Sequence, residues 1–357
     1  MTEQPRTVSP ETELVNLDRI AAARRRIAPH LVPTPLAAST TFSRLAGFSV
    51  WLKPENLQRT GSFKVRGALS AVLAACAAAG DRRPRGFVTA SSGNHGQALA
   101  YAAGRVGLPA VVVVPEQASP LKVQAALGYG AEVIHHGRFS DERKARARQL
   151  AEERGYLYVD PTDDPDVIAG QGTIGLEILE ELPDLTAVVA PIGGGGLISG
   201  VAAAVKALRP VARVIGVEPN GAASMYASLE AGRPVTLAET ASVADGLLTR
   251  RPGEVPFAHV RRFVDAIVRV DDDEILDAMA LVAERAKLVV EPSGAASLAA
   301  GLAGRLDGLI PRGDGAKVVF ILSGGNVARD RFAAWVGAPL RKWEGLDLGG
   351  PMASSQA

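Results

Sequence analysis

The residue types with the clearest chemical potential are one lysine and three loops rich in glycine, hydroxyl and amide groups. Lys64 ends the segment Thr60-Gly61-Ser62-Phe63-Lys64, and a helix-forming run over residues 65–79 follows it. Only eight of the 39 basic residues are lysines, so lysine chemistry has few candidates. The helix dipole favours acids at a helix start, so it does not explain a lysine there. Lys64 is therefore either an ordinary surface lysine or a residue with a chemical role.

A run of four glycines, Gly193, Gly194, Gly195 and Gly196, follows a predicted strand at 186–190 and precedes a predicted helix. Successive N–H groups without Cβ atoms, at the positive end of a helix dipole, form a cup that suits a phosphate. No Gly-Lys-Ser/Thr follows, and the spacing does not match a dinucleotide-binding fingerprint. The loop favours a compact monophosphate. A turn without function is the alternative, and it would cost stability.

Two further loops also follow predicted strands, where a doubly wound sheet places its ligand contacts. Residues 91–96 read Ser-Ser-Gly-Asn-His-Gly, and residues 323–326 read Ser-Gly-Gly-Asn. A capped helix and an ordinary turn are the plain alternatives. Together with a lysine and a phosphate cup, these groups are what a phosphorylated aldehyde held as a Schiff base needs, and pyridoxal phosphate meets that description. The sequence contains no His-Glu-x-x-His, no cysteine cluster and no Gly-x-Ser-x-Gly.

Short apolar runs alternate with helical patterns over most of the chain, which is typical of an α/β fold with parallel sheets. The runs fall into two groups, so we expect two sheets with the site between them and a connecting loop near residues 161–165. The predicted strands are 86–90, 110–114, 132–135 and 156–159, then 186–190, 213–217, 266–270 and 317–322. The predicted helices are 65–79, 96–106, 120–127, 141–154, 171–181, 197–208, 272–287 and 294–303.

Composition narrows the class of protein. A length of 357 residues indicates about two domains, and 47% hydrophobic with 22% charged residues excludes disordered and fibrous chains. A net charge of +1 argues against nucleic acid and anionic membranes as partners. Residues 186–205 carry no charge, but Pro191 and the four glycines argue against a membrane span. The single cysteine, Cys76, and a polar amino terminus lead us to expect a cytoplasmic protein.

Several segments resemble fold-type II pyridoxal-phosphate enzymes, specifically the threonine dehydratase and serine racemase branch. The resemblance covers roughly residues 15–335 in the family's order. The segments that carry it are residues 53–68, 91–97, 167–177, 193–200, 291–292 and 323–326.

The resemblance implies a tryptophan synthase β-like architecture, with two open, twisted, parallel-type sheets flanked by helices and the cofactor in the cleft between domains. Residues 1–80 with 161–345 would form a large cofactor-binding domain, and residues 81–160 a small mobile one. Residues 346–357 would be a loose tail, and no regulatory domain would follow. A homodimer is also implied.

The implied activity is β-elimination of L-threonine, L-serine or a related 3-hydroxy amino acid to a 2-oxo acid and ammonia. Lys64 would form the Schiff base and then act as the base at the substrate Cα. Ser92, on the opposite face of the cofactor ring, would be the second acid/base of the alternative activity, serine-type racemisation with elimination as a side reaction.

The resemblance also implies how the cofactor is held. Phe63 would pack on the ring, Asn94 would hydrogen-bond the phenolic oxygen, and Ser323 would face the pyridine nitrogen. The glycine loop (Gly193 to Gly196) and Leu197 would bind the phosphate. A neutral hydroxyl at Ser323 cannot keep that nitrogen protonated, which favours prompt loss of a β-hydroxyl.

The chain departs from the family pattern at two places. Asp160-Pro161-Thr162 stands where relatives carry His-Pro-Phe or His-Pro-Asn, so we expect a preference for a polar or bulkier 3-hydroxy amino acid. Racemase relatives bind magnesium or calcium through a Glu, a carbonyl and an Asp. This chain offers Glu218 and the Ala222 carbonyl, but Ser224 replaces the Asp, so we expect weak or absent cation activation.

Overall fold

The computed structural model describes residues 14–80, 83–91, 93–138 and 140–342. Ten β-strands, thirteen α-helices and several single-turn helices connect in a predominantly βα order over these residues.

A six-stranded sheet forms the larger half of the molecule, in the order β1-β2-β10-β7-β8-β9. Its strands are parallel, except that β1 runs antiparallel to β2. The strands are β1 (Ala37–Ala38), β2 (Phe48–Pro54), β7 (Ala187–Pro191), β8 (Arg213–Pro219), β9 (Ala266–Val270) and β10 (Gly313–Leu322).

A four-stranded parallel sheet forms the smaller half, in the order β5-β4-β3-β6. The two predicted groups of strands each form one sheet, which confirms the predicted α/β fold with two mainly parallel sheets. β1 and β2 were not predicted. The strands are β3 (Phe87–Ala90), β4 (Ala110–Val114), β5 (Glu132–His135) and β6 (Leu157–Tyr158).

Eight of the thirteen described α-helices overlap predicted ones, whereas those at 17–27, 40–46, 224–231, 254–263 and 329–336 were not predicted. Helices cover both sheets. They are α1 (Leu17–Ile27), α2 (Thr40–Ala46), α3 (Lys64–Ala78), α4 (Asn94–Arg105), α5 (Pro120–Gly128), α6 (Ser140–Arg154), α7 (Pro165–Glu181), α8 (Gly196–Leu208), α9 (Ser224–Ala231), α10 (Glu254–Phe263), α11 (Asp272–Leu281), α12 (Pro292–Leu302) and α13 (Arg329–Val336).

Two helix ends differ from the prediction for local reasons. α7 begins six residues early because the Asp164 side chain accepts the N–H groups of Asp166 and Val167 and so caps it. The helix predicted over 272–287 ends at Leu281 and continues as a π-helical turn to Ala286. Lys287 then adopts a left-handed conformation at φ 59°, which ends the helix.

Glycines let three central helices approach closely. A Cβ on Gly170 of α7 would lie 2.5 Å from the Arg66 carbonyl oxygen of α3. A Cβ on Gly200 of α8 would lie 2.2 Å from the Ile168 carbonyl oxygen of α7. Any larger residue would push these helices apart. The close packing therefore sets where α3 and α8 begin, at Lys64 and at the glycine loop.

A buried ion network fixes the first turn of α3. The Arg66 guanidinium is fully buried and pairs with Glu55 at 2.7 Å and with Glu177 at 2.5 Å. Lys53, at the end of β2, pairs with the same Glu177 at 2.8 Å. Removing one partner of such a buried network costs about 3–5 kcal/mol, so the network holds Lys64, two residues from Arg66, in place.

None of the helices described is long and apolar enough to cross a bilayer. The uncharged stretch at 186–205 folds as β7, the glycine loop and most of α8, and all of it except the half-buried Thr186 and Gly193 is buried between other elements.

Candidate active site

A cavity of about 160 Å³ lies between the carboxyl ends of the two sheets. Each predicted loop reaches it directly after a strand: Ser91 and residues 93–95 after β3, the glycine loop after β7 and Ser323 after β10. Most of the residues predicted for the site lie around this one cavity. These are Phe63, Lys64, Asn94, Gly193, Gly194, Gly195, Gly196, Leu197 and Ser323. Ser92 lies outside the described residues.

Lys64 enters the cavity from the first turn of α3. Its Nζ donates to the Pro161 carbonyl at 2.9 Å and lies 5.1 Å from the centre of the Phe63 ring. Loss of solvent around the amine lowers the pKa of Lys64 to about 8, although the nearby Asp160 carboxylate opposes the shift. A larger share of this amine is therefore neutral near pH 7 than for an ordinary lysine, as a nucleophile or base requires.

The glycine loop presents free backbone donors. No described residue accepts a hydrogen bond from the N–H groups of Gly193, Gly194, Gly195 or Gly196. Gly195 has a φ of 94°, which only glycine adopts readily. A Cβ on Gly194 would lie 2.7 Å from Thr162 Oγ1, and one on Gly196 would lie 3.0 Å from Thr162 Cα. The loop therefore has room for an anion only because it lacks side chains.

Asn94 is held by polar groups from the opposite half of the cavity. Its Nδ2 donates to Glu291 at 2.5 Å, and its Oδ1 accepts from Asn326 Nδ2 at 2.9 Å. The next residue, His95, is almost fully buried, and neither ring nitrogen has a hydrogen-bond partner among the described residues. Burial and the neighbouring Lys64 lower the pKa of His95 to about 3, so this imidazole is neutral.

Ser323 closes the floor of the cavity. Its hydroxyl donates to the Ser293 carbonyl at 3.3 Å, and its own carbonyl accepts the N–H of Phe63 at 3.1 Å. Ser62 also pairs with Gly324 as an isolated antiparallel bridge. The end of β10 is thereby tied to the segment that precedes Lys64.

The loop at residues 160–164 connects the two halves. Thr162 lines the cavity, whereas the Asp160 carboxylate accepts the N–H groups of Thr162 at 3.0 Å and Asp163 at 2.9 Å. Lys144 pairs with Asp160 at 2.9 Å. Burial disfavours the charged carboxylate, but Lys144 and these backbone donors lower the pKa of Asp160 to about 2. Asp160 therefore shapes the loop, and Thr162 is the residue that faces the cavity.

Sequence reasoning singled out residues 291–292 but missed the charged groups that lie beside Glu291 at the cavity. Lys122 on α5 pairs with Asp245 at 2.7 Å and lies 3.7 Å from Glu291. Burial raises the pKa of Glu291 to about 7, although Lys122 opposes the shift. Arg143 on α6 also lines the cavity. Arg143 could have been found, because it lies four residues before Ala147 on the face of α6 that is buried.

The comparison with known protein families decides the class of this enzyme. The family described as pyridoxal-phosphate dependent enzyme matches residues 27–324. The chain belongs to this family. It is 43% identical to the L-threonine ammonia-lyase of Thermotoga maritima, over 88% of this chain and 76% of that protein. It is 41% identical to the L-threo-3-hydroxyaspartate ammonia-lyase of Saccharomyces cerevisiae, over 88% of this chain and 94% of that protein. The solved structure of maize serine racemase superposes with a TM-score of 0.84 at 37% identity, over 90% of this chain and 96% of that one.

Pyridoxal phosphate is the cofactor of this family, and the cavity fits it. The glycine loop offers N–H groups that have no other described acceptor, and a Cβ there would collide with Thr162. Lys64 offers an amine whose pKa is lowered by burial. An aldehyde and a phosphate on one molecule match these two features: Lys64 would hold the aldehyde carbon, and the glycine loop would hold the phosphate. The individual roles assigned from the sequence stay predictions.

Among the residues considered for a cation, Glu218 already has backbone partners. Glu218 is buried at the end of β8, and its two oxygens accept the N–H groups of Met225 at 2.9 Å and Tyr226 at 2.8 Å. The carboxylate therefore caps α9, and burial raises the pKa of Glu218 to about 7. Ala222 lies in the turn between β8 and α9, and the buried Ser224 hydroxyl has no described partner. Within the described ranges, no three His, Cys, Asp or Glu side chains form a metal-binding group.

Proposed function

We propose that this enzyme converts L-threonine, L-serine or a related 3-hydroxy amino acid into a 2-oxo acid and ammonia, because the water lost in the β-elimination is consumed again when the imine hydrolyses. The observation that carries the proposal is the placement of Lys64 Nζ, with its lowered pKa, in the same cavity as the unoccupied donors of the glycine loop. The identity to ammonia-lyases over most of the chain supports a carbon–nitrogen lyase.

The residues divide the work of the reaction. Pyridoxal phosphate, when bound, supplies an electron sink for the negative charge that develops at the substrate Cα. Lys64 Nζ removes the Cα proton and returns a proton to the leaving β-hydroxyl, which departs as water. Ser323 would offer the cofactor a neutral hydroxyl in place of a carboxylate, which would favour prompt loss of the β-substituent.

The start of α4 suits the substrate α-carboxylate. Gly93, Asn94 and His95 line the cavity at the N-terminus of this twelve-residue helix. No described residue accepts the backbone N–H groups of Asn94 and His95. A carboxylate there would be stabilised by these donors and by the helix dipole.

A panel of 3-hydroxy amino acids tests the proposal. Holoenzyme should release 2-oxo acid and an equal amount of ammonia from at least one of L-threonine, L-serine and L-threo-3-hydroxyaspartate. The alternative is serine-type racemisation, which is favoured by the identity of 40% to serine racemase of Oryza sativa. Chiral chromatography of the residual amino acid separates the two. If the enzyme forms the D-isomer and no 2-oxo acid, the lyase proposal is wrong and the racemase alternative is correct.

The same proposal covers assembly, location and domain motion. We infer a cytoplasmic homodimer from the family resemblance, with residues 1–80 and 161–345 as the large domain and 81–160 as the small mobile one. All four strands of the smaller sheet lie within 81–160, which supports that division. Light scattering of the holoenzyme should give twice the mass of one chain, and a monomer would contradict the dimer.

A further inference from the structure

Arg143 is a buried cation without a carboxylate partner at the edge of the active cavity. It lies in the first turn of α6, is 9% exposed and lines the cavity. One terminal nitrogen donates to the Arg138 carbonyl at 2.9 Å. Its Nε is fully buried and has no hydrogen-bond partner among the described residues.

The other cationic side chains near the cavity already have an ion-pair partner or an assigned role. Lys122 pairs with Asp245, and Lys144, the residue after Arg143, pairs with Asp160. Lys64 is assigned to the cofactor. Across the described part of the chain, no Asp or Glu forms an ion pair with Arg143. Asp141 and Glu142 on the same helix do not offset the desolvation of this guanidinium, because burial still lowers the pKa of Arg143.

A buried guanidinium with an unused donor is unfavourable unless an anion joins it. The anions of the proposed reaction already have places: the cofactor phosphate at the glycine loop and the substrate α-carboxylate at the start of α4. An amino acid with a single carboxylate therefore leaves Arg143 without a partner. The forked donors of arginine match a carboxylate group well.

We propose that Arg143 binds a second carboxylate, carried on Cβ of the substrate, so that the preferred substrate class is the 3-hydroxyaspartates. This inference rests on the proposed lyase function and names its substrate. Thr162 is consistent with it, because a small polar side chain faces the cavity there.

The reaction balances without an oxidant or reductant. The substrate loses its Cα proton and its β-hydroxyl as water, which forms a carbon–carbon double bond. The released enamine tautomerises to an imine, and hydrolysis consumes one water to give oxaloacetate and ammonia. The second carboxylate remains on the carbon that held the hydroxyl.

The kinetic test compares three holoenzyme variants with the wild type on L-threo-3-hydroxyaspartate, L-threonine and L-serine. We expect wild-type kcat/KM to be highest for 3-hydroxyaspartate. Arg143→Met should lower that value about 100-fold and the values for serine and threonine by less than about threefold. Arg143→Lys should recover part of the loss, because it keeps the charge but not the fork. Arg146→Met is the matched control, because Arg146 lies on the same helix, pairs with Glu153 and does not line the cavity.

An equal loss on all three substrates would show that Arg143 binds the α-carboxylate and would overturn the inference. A wild type that prefers threonine or serine would overturn it as well, while leaving the lyase proposal intact.

A binding measurement separates this inference from the lyase proposal. Calorimetry on holoenzyme should show that succinate binds more tightly than butyrate, a four-carbon acid with one carboxylate, and that Arg143→Met removes the difference. If no 3-hydroxy amino acid is turned over but this difference exists, the lyase proposal fails and the second anion site stands. If succinate and butyrate bind alike to the wild type, the inference is wrong whatever the activity.

Discussion

The two sides of the active cavity are built in different ways. The larger sheet presents backbone and small hydroxyls from its most buried strands: every residue of β7 is buried, and the glycine loop follows it directly. The smaller sheet presents charged and amide side chains, and its edge strands β5 and β6 have no buried residue. The larger half thus offers backbone donors that suit a cofactor phosphate, and the smaller half contributes Lys122 and Arg143 to the charges around the cavity.

The glycine loop touches the loop at residues 160–164 that connects the two halves, because the Thr162 side chain fills the space that a Cβ on Gly194 would need. A substitution in the glycine loop should therefore displace the loop at residues 160–164, and a substitution at Thr162 should displace the glycine loop. Variants on either side of this contact test the division.

The largest effect is expected at Lys64. Lys64→Ala should lower the rate of 2-oxo acid release by about 10³-fold or more, because both the covalent anchor and the base at Cα are lost. Lys317→Ala is the control, since Lys317 pairs with Asp184 away from the cavity and should keep full activity. Borohydride reduction followed by peptide mapping should place the cofactor on Lys64, and a label on any other lysine would refute the assignment.

The next largest effect is expected in the glycine loop. Gly194→Ala should weaken pyridoxal phosphate binding about 10- to 100-fold, measured by fluorescence, because the new Cβ overlaps Thr162. Gly128→Ala is the control, since a Cβ there meets no atom within 4 Å. Thr162→Ala in the Gly194→Ala background should restore part of the affinity. No restoration would mean that the two sides are not coupled at this contact.

A moderate effect is expected from pH. Burial lowers the pKa of Lys64 to about 8, and only the neutral amine attacks an aldehyde. The rate at which pyridoxal phosphate attaches to apoenzyme should therefore rise about tenfold from pH 7 to a plateau above pH 8. An unperturbed lysine would still be gaining rate at pH 10. A stopped-flow series in absorbance distinguishes the two profiles.

The smallest effect is expected at Glu218, away from the cavity. Glu218→Ala should lower the free energy of unfolding by about 1–2 kcal/mol, because two N–H groups of α9 lose their acceptor. Magnesium or calcium added to chelator-treated wild type should change activity little. A severalfold, saturable rise at micromolar metal that Glu218→Ala abolishes would show that a cation site exists here after all.

Local patterns in the sequence determined much of the fold and of the cofactor cradle. β4, β5 and β9 match their predicted bounds, because short β-branched runs between turn residues leave few alternatives. Lys64 was singled out by its place after Phe63 at a predicted helix start, and the four glycines by their position after a predicted strand. These features depend on neighbours in the chain, and the chain order alone places them at the carboxyl ends of parallel strands.

Tertiary structure alone determined which charged residues meet at the cavity. Lys122, Asp245 and Glu291 lie far apart in sequence and meet only because the two sheets face each other across the cavity. The spacing of Arg143 to Ala147 marks one face of α6 in the sequence, but only the packing of α6 on β3 and β4 decides that this face is buried at the cavity. A charged residue carries no local mark of whether its partner is water, a carboxylate or a substrate, because that depends on what distant segments bring to it.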